Sequence, residues 1–525
     1  MSSSSSPKAG GGLTDSRDLP KDGGPSADKA FSQNLRDPDR AYTFLAEHGS
    51  SREDALAIDL NALRRKVDWR IVPIMFLCYT MQFIDKVSLN YAAVMGLTKE
   101  LNLKGNDFSN AATSFFIAYL IAEVPNAYIL NKVPPAKWLA ANVTLWGIAT
   151  ACTAATHNYR GLLAARIFLG IFEAAIAPSL MLISTQWYTK SEQAPRFSFW
   201  YCGLGIGQII GGIVSYAFQQ VKHESFDGWR IMFVVLGIVT VVIGGTTALF
   251  LPDTPMSAHF LSNAEKAAIL GHISSNQTGV QNTHFKFGHV VEVLLDPQMY
   301  LMTLMTILIS ISSGVVTSYS ATLIKNVGYR SDTTALLSMP SGIISIFSTI
   351  LVGLGVRYVP AGYRWAWIVL CCIPGMLGGS LMSFLPSSKQ HHNKAGLLAG
   401  IYLVNFIVAT LILIYQWIAA NTAGHTKRVV SMALISGSFS VGNIIGPQTF
   451  QARDAPQYIP AKITVLATQG AGALVAIALF LYYRWANARK ETKQAQMGRD
   501  AILSEEKIQW GNLTDKENPD FRYVY

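Results

Sequence analysis

Asp85 and Lys86 stand side by side in "FLCYTMQFIDKVSLNYAAVMGL" (76–97), a stretch otherwise apolar enough for a bilayer. Arg166 and Glu173 stand seven residues apart in a second apolar run, "RIFLGIFEAAIAPSLMLISTQWY" (166–188). A charge at the bilayer centre costs on the order of 3 kcal/mol even on insertion scales, so such residues face a protein interior and mark ion or proton pathways. The chemistry open to this set is reversible. Its carboxylates, Asp85 and Glu173, can take up and release protons, and its cations, Lys86 and Arg166, can attract an anion. The structural alternative is a permanent Asp–Arg pair that pins one helix to another, and for Arg166 both readings stand. Glu173 has no basic neighbour one turn away on its own helix, which favours a titrating role.

Covalent chemistry finds no support. There is no Ser–His–Asp order, zinc spacing or phosphate loop. The glycines of "GLGIGQIIGG" (203–212) and "GSFSVGNIIGP" (437–447) follow no strand, so they read as close helix contacts rather than a nucleotide site. His391 and His392 in a loop make a weak metal case, and no metal and no cofactor is expected.

The elements that must position these charges are membrane-spanning helices. Half of the 525 residues are hydrophobic, 14% are charged and mean hydropathy is positive, against about 25% charged in a soluble chain. Twelve runs reach the roughly 20 apolar residues that a span needs. They lie near 70–94, 109–131, 137–156, 161–183, 197–218, 230–251, 299–323, 333–355, 363–385, 395–420, 429–450 and 462–484. The expected organisation is an N-terminal tail (1–60), a six-helix bundle (61–251), a central loop (252–298), a second six-helix bundle (299–484) and a C-terminal tail (485–525). Residues 1–30, rich in Ser, Gly and Pro without an apolar core, read as a disordered tail rather than a signal peptide.

The net charge of +10 is spread in short clusters between apolar runs, which excludes a nucleic-acid face and follows membrane topology instead. Arg64, Arg65, Lys66, Arg70, Lys132, Lys137, Lys190, Arg196, Lys427 and Arg428 flank one side, which places both termini in the cytoplasm. All five cysteines fall in apolar runs as small buried hydrophobes, with no disulfide framework.

A rise of about 1.5 Å per residue converts position into depth. Asp85 lies roughly 22 Å across from the start of the first span, and Arg166 roughly 8 Å below the outer face, so Asp85, Lys86 and Arg166 share a level. Glu173 falls on the same helix face as Arg166, nearer the midplane. Glu123, in "FIAYLIAEVPN", lies about 21 Å down and reads as a gate or a helix-end partner for Lys132 or Lys137. The second half is nearly charge-free. Its polar candidates are Tyr319, Asn405, Gln416, Asn421 and Asn443, each by itself an ordinary helix–helix hydrogen bond.

With these residues on the page, a resemblance is evident. "VDWRIVPIMF" (67–76), "FIDKVSLNYAAVMGL" (83–97), "AEVPNAYILNKVPPAKWL" (122–139), the 166–188 run, "GWRIMFVVLG" (228–237), "NTAGHTKRVVSMALISGSFSVGNIIGPQTF" (421–450) and the tail "LTDKENPDFRY" (513–523) cover about residues 60–525. The chain resembles a major facilitator superfamily (MFS) transporter of the anion:cation symporter group, specifically the fungal allantoate permease family. The resemblance implies an all-α membrane protein of two six-helix bundles that rock about a central cavity lined by the first, fourth, seventh and tenth helices. It implies proton coupling at Asp85 and Glu173 and substrate contacts at Lys86, Arg166 and Asn443, to which Tyr319 is added as a candidate. Glu123, Lys132 and Lys137 form the candidate gating set.

The sequence also departs from its wider kin. "ILNKVPPAKW" lacks the acid of the general superfamily gate motif, while Lys86 and Phe83 stand where some bacterial relatives have Arg and Tyr. A lysine cannot make the bidentate fork of an arginine, so substrate geometry does not carry over. The expectation is a monomeric, proton-coupled importer of a small organic anion (allantoate, ureidosuccinate or dipeptide-like) in the plasma membrane, with the substrate, protons and the lipid bilayer as its partners. Alternatives are a carrier of nicotinate or another pathway-specific carboxylate, and a nutrient sensor that does not transport. The short tails and central loop disfavour the sensor.

Overall fold

In a bilayer, backbone N–H and C=O groups must be satisfied within the chain, and apolar runs of this length do so as helices. The computed structural model describes residues 58–130, 132–221, 227–274, 286–358, 363–385, 393–423, 425–497, 514–518 and 521–525, and among these there is no strand. Residues 1–57 of the expected tail (1–60), together with His391 and His392, lie outside the described residues.

The first half contains span 1 (Leu60–Met95), span 2 (Asp107–Leu130), span 3 (Pro135–Thr153), span 4 (Tyr159–Trp187), span 5 (Pro195–Gln219) and span 6 (Gly228–Phe250). The second contains span 7 (Pro297–Asn326), span 8 (Ser331–Val356), span 9 (Arg364–Phe384), span 10 (Lys394–Asn421), span 11 (Thr426–Gln448) and span 12 (Ile459–Thr492). Eleven of these are long and apolar enough to cross a membrane, against the twelve expected. The exception is span 3, 19 residues long and made more polar by Lys137, Asn142, Thr144 and Thr150. It is a helix nonetheless, packed along span 6 through the close approach of Gly147 to Gly237.

Several boundaries differ from the sequence expectation. Span 1 begins about ten residues early, capped where the Asn61 N–H donates to Asp59 Oδ1 at 2.9 Å. Span 12 runs on as helix to Met497, beyond the expected end at 484. Span 4 is interrupted after Glu173 and resumes at Ile176. The central segment carries helices Asn263–Ser274 and Phe287–Leu294.

Within the first half, spans 3 and 6, 2 and 4, and 1 and 5 pack together; within the second, 7 and 11, 9 and 12, and 7 and 12 do. The halves meet along spans 2 and 11, 5 and 8, and 1 and 7. The glycine runs serve that packing. A Cβ on Gly207 would meet the Thr80 carbonyl of span 1 at 2.9 Å, and one on Gly205 the Gly342 carbonyl of span 8 at 2.5 Å. Large apolar side chains such as Val124, Leu249 and Phe384 point outward, while Asp85 of span 1 and Arg166 and Glu173 of span 4 are buried.

The end of the bundle where span 1 begins is called here the tail end, and the opposite one the far end. At the tail end, Arg64 pairs with Glu192 at 2.5 Å, Lys66 with Glu265 at 2.8 Å, and Arg196 with Asp68 through two bonds of 2.6 and 2.7 Å. These tie the central segment and span 5 to span 1.

Candidate functional site

Four charges sit inside the first half, on the side facing the second. Asp85 is 2% exposed, Arg166 2% and Glu173 0%. Span 1 brings Asp85 and Lys86 to adjacent positions, about 100° apart around the helix, so the two side chains diverge. Asp85 turns toward span 3, where Trp146 Nε1 donates to Oδ2 at 3.0 Å and the Thr150 hydroxyl donates to Oδ1 at 3.2 Å. Trp146 and Thr150 are one turn apart and share a helix face. Lys86 instead reaches along its own stem to Glu173, with Nζ 3.0 Å from Oε1 and 5.6 Å from the Tyr119 ring centre.

Arg166 lies between these groups. Its Nε and one terminal nitrogen are buried without a hydrogen-bond partner, and its guanidinium carbon is 5.8 Å from the Phe233 ring centre. Asp85, and after it Glu173, are its counter-charges, felt through space. The Lys86 contact is an ion pair, and Gln82 is the other polar side chain beside the Glu173 carboxylate. Lys86 therefore pairs directly with Glu173, while Arg166 makes no direct ion pair among the described residues and is balanced through space. The four formal charges sum to zero.

Lys86 and Arg166 share a cavity of about 20 Å³ with Leu89, Ala112, Phe115, Phe116, Thr317 and Ser318. That volume admits roughly one water. The cavity lies on the seam, with walls from spans 1, 2 and 4 on one side and span 7 on the other. It must widen before any organic anion can enter.

The far end of the seam is closed. Tyr319 stacks on Phe450 with ring centres 4.0 Å apart and planes 8° from parallel, and its hydroxyl lies 2.5 Å from Ser109 Oγ. Gln448 Nε2 donates to Thr113 Oγ1 at 2.9 Å, and Asn106 Nδ2 to Gln451 Oε1 at 2.7 Å. The side-chain oxygen of Asn90 in span 1 accepts from the Ser320 hydroxyl of span 7 at 3.0 Å, and its NH2 donates to the Ser318 carbonyl at 3.1 Å.

The structure sorts the sequence candidates. Asp85, Lys86, Arg166 and Glu173 come together as the depth estimate required, although Lys86 pairs with Glu173 across helices. Tyr319 is not on the cavity but in the far-end seal, one residue past Ser318. Asn443 is fully buried where spans 7 and 11 touch; its Nδ2 donates to the Phe439 carbonyl at 2.8 Å and its Oδ1 has no partner.

Glu123 is 8% exposed with one partnerless oxygen, and its neighbours are Tyr119, Ser436 and Tyr415 rather than a lysine. Lys132 and Lys137 are exposed, and the Lys137 backbone N–H donates to Asp253 at the start of span 3. The suggested Glu123 partnership with Lys132 or Lys137 is thus not formed, because Glu123 faces the seam and the lysines face away. Asn405 bonds only within its own helix, and the Gln416 carbonyl accepts from Arg364.

Sequence reasoning missed Trp146, Thr150, Thr317 and Ser318. The i, i+4 pair of polar-headed residues in span 3, the least apolar span, was the available signal for the first two.

A polytopic helical protein of two packed halves, with compensated charges buried on the seam, defines the class of a membrane carrier. The family model described as Major Facilitator Superfamily matches residues 75–447, and the chain belongs to that family. A Saccharomyces cerevisiae protein named Thiamine pathway transporter THI73 is 36% identical over 94% of this chain and 95% of its own length. The Saccharomyces cerevisiae Allantoate permease is 30% identical over 88% of this chain and 86% of its own. The chain is accordingly a transporter of the fungal allantoate permease type and not an enzyme. A solved structure of a bacterial homologue of the human lysosomal transporter Spinster has the same fold, with a TM-score of 0.56 at 16% identity over 78% of this chain and 96% of that one.

Proposed function

We propose that the protein is a proton-coupled carrier that imports a small organic anion by alternating access. The observation that supports this most is the Lys86–Glu173 pair, 3.0 Å apart, with Glu173 fully buried and Lys86 lining a seam cavity. While Glu173 is ionised it occupies the cation that an anionic substrate would use. A proton on Glu173 dissolves the pair and frees Lys86, so substrate and proton enter together. The charge count agrees. Four charges summing to zero in a low-dielectric seam accept an added anion at least cost when one proton comes with it.

Arg166, compensated by Asp85, supplies the second positive wall of the cavity. Asp85, held by Trp146 and Thr150, is the second candidate for carrying a proton. Glu123, facing Ser436 and Tyr415 across the seam, is placed to act on the tail-end side of the path. With the far end as the outside, the structure corresponds to a carrier closed to the exterior, and the plasma membrane is the expected site.

The substrate class we favour is a carboxylate of the allantoate, ureidosuccinate or dipeptide kind, after the Allantoate permease relative. A second reading, a pathway-specific anion, is favoured by the higher identity to the relative named as a thiamine pathway transporter. Uptake of a panel of labelled ureides, dipeptides and heterocyclic carboxylates into proteoliposomes separates the two. Transport confined to ureides and dipeptides supports the first reading, and transport confined to heterocyclic anions supports the second. Binding of an anion without flux would replace both with a sensor.

A further inference from the structure

The tail motif "LTDKENPDFRY" is not a loose appendage. Residues 514–518 and 521–525 are folded against the tail end of the second half, and their anchoring is dense. Asn421, at the end of span 10, accepts the Val524 N–H at 2.7 Å and donates to the Val524 carbonyl at 2.8 Å. Asn487, on the helix of span 12, does the same to the preceding residue: it accepts the Tyr523 N–H at 2.9 Å and donates to the Tyr523 carbonyl at 2.9 Å. Two side-chain amides thus read the backbone of consecutive residues, a mode that demands an extended chain but no particular side chain.

Two further anchors add specificity. Lys427, fully buried at the start of span 11, lies 2.6 Å from Asp515, 2.9 Å from Asp296 and 2.9 Å from Glu292. These three carboxylates cluster as a cation site would, and the lysine ammonium fills it. Tyr523 then closes the unit. Its hydroxyl donates to Asp515 at 2.7 Å, and its ring stacks on Tyr483 with centres 5.1 Å apart and planes at 17°. Lys490 gathers the carbonyls of Asp515, Asn518 and Phe521 beneath them.

We propose that this face of spans 10–12 is a peptide-binding site, occupied in this chain by its own residues 514–518 and 521–525 and specific for an acid eight residues before a tyrosine. Its occupant touches spans 10, 11 and 12 at once. Lys427 of span 11 pairs directly with Glu292 and Asp296, and Asp515 brings the tail into that cluster as its third carboxylate, while Tyr523 and Val524 are held by Asn487 of span 12 and Asn421 of span 10. Occupancy therefore holds the tail end of the second half as one body, and transport depends on it. This proposal requires that the protein transport something, but not that transport be driven by protons.

The test keeps the whole chain intact until it has folded. A protease site is inserted between residues 500 and 510 of the full-length protein, which is then placed in nanodiscs or proteoliposomes and cleaved. The freed fragment should remain bound through size-exclusion chromatography. A synthetic peptide of residues 514–525 should displace it, and the same peptide carrying Asp515→Asn should need at least tenfold more. Washing the fragment out with high salt should reduce substrate exchange, and adding the wild-type peptide back should restore it. The proposal is overturned if the fragment leaves on cleavage with exchange and melting temperature unchanged, or if the Asp515→Asn peptide competes equally well. Absence of any transport before cleavage would instead count against the carrier reading, and fragment retention would still report on the site.

Discussion

Glu173→Gln is the perturbation that separates the roles within the buried charge set. The substitution keeps the side chain's shape and removes the charge that faces Lys86 at 3.0 Å. At an effective dielectric constant of about 20, two unit charges at that distance attract by on the order of 5 kcal/mol. Desolvation of both groups offsets much of this. Even a residue of about 1.4 kcal/mol is a tenfold change in an equilibrium constant. In the wild type, an anion arriving at neutral pH must displace the Glu173 carboxylate, and a proton removes that competitor. The Glu173→Gln variant has no competitor at any pH. Substrate affinity at pH 7.5 should therefore rise at least tenfold, and its dependence on pH between 5.5 and 7.5 should vanish. Exchange of labelled for unlabelled substrate should persist while gradient-driven accumulation is lost. Equilibrium binding across that pH range, paired with counterflow in proteoliposomes, reads both quantities. If affinity keeps the wild-type pH dependence, Glu173 does not compete for Lys86 and the coupling argument fails.

Other consequences follow from the seam and its ends. Tyr319→Ala removes the stacked ring and the hydroxyl partner of Ser109, so a cysteine introduced at Leu89 should become reactive to thiol reagents added from the far end; unchanged protection would show the seal lies elsewhere. Gly205→Val places atoms within 2.5 Å of the Gly342 carbonyl, an overpacking cost of about 1–3 kcal/mol borne by the far-end-closed state. Far-end accessibility should rise and exchange should slow, and an unaffected exchange rate would contradict the close approach of spans 5 and 8. Glu192 supplies a pH prediction outside the spans. Burial pushes its carboxyl up, but hydrogen bonds from His272 and Thr189 outweigh this and leave it below the ordinary glutamate value. A depressed folded value contributes stability that is present above the unfolded pKa, about 4.3, and is lost as pH falls through the folded one. Thermal stability in detergent should thus fall below about pH 4.3, and Glu192→Gln should flatten that limb. An identical acid limb in the variant would remove Glu192 from the tail-end brace.

Depth was readable from the sequence because a helix rises by a fixed amount per residue. That arithmetic put Asp85, Lys86 and Arg166 on one level and Glu173 below them, and the four do meet. Azimuth was not readable. Which acid faces which base depends on how spans 1, 3 and 4 are rotated about their axes, and that is set by contacts such as Gly207 against Thr80. Hence the pairing of Lys86 with Glu173, and the hold of Trp146 and Thr150 on Asp85, emerge only in three dimensions. Tyr319 illustrates the same point within one helix, since a shift of one residue from Ser318 carries a side chain from the cavity to the seal. How the C-terminal tail is held was not readable for a different reason: its polar composition conceals that several of its groups have buried partners, with Asp515 meeting Lys427 and the Val524 backbone meeting Asn421.

The central claim is that an anion moves together with a proton through this seam. Its most direct measurement is uptake of the substrate identified from the panel by proteoliposomes of purified protein, with and without an inward proton gradient, accompanied by a pH-sensitive dye inside. The account predicts accumulation above equilibrium only with the gradient, and an internal acidification that begins when substrate is added. Equal uptake in both conditions, with no acidification, would contradict it.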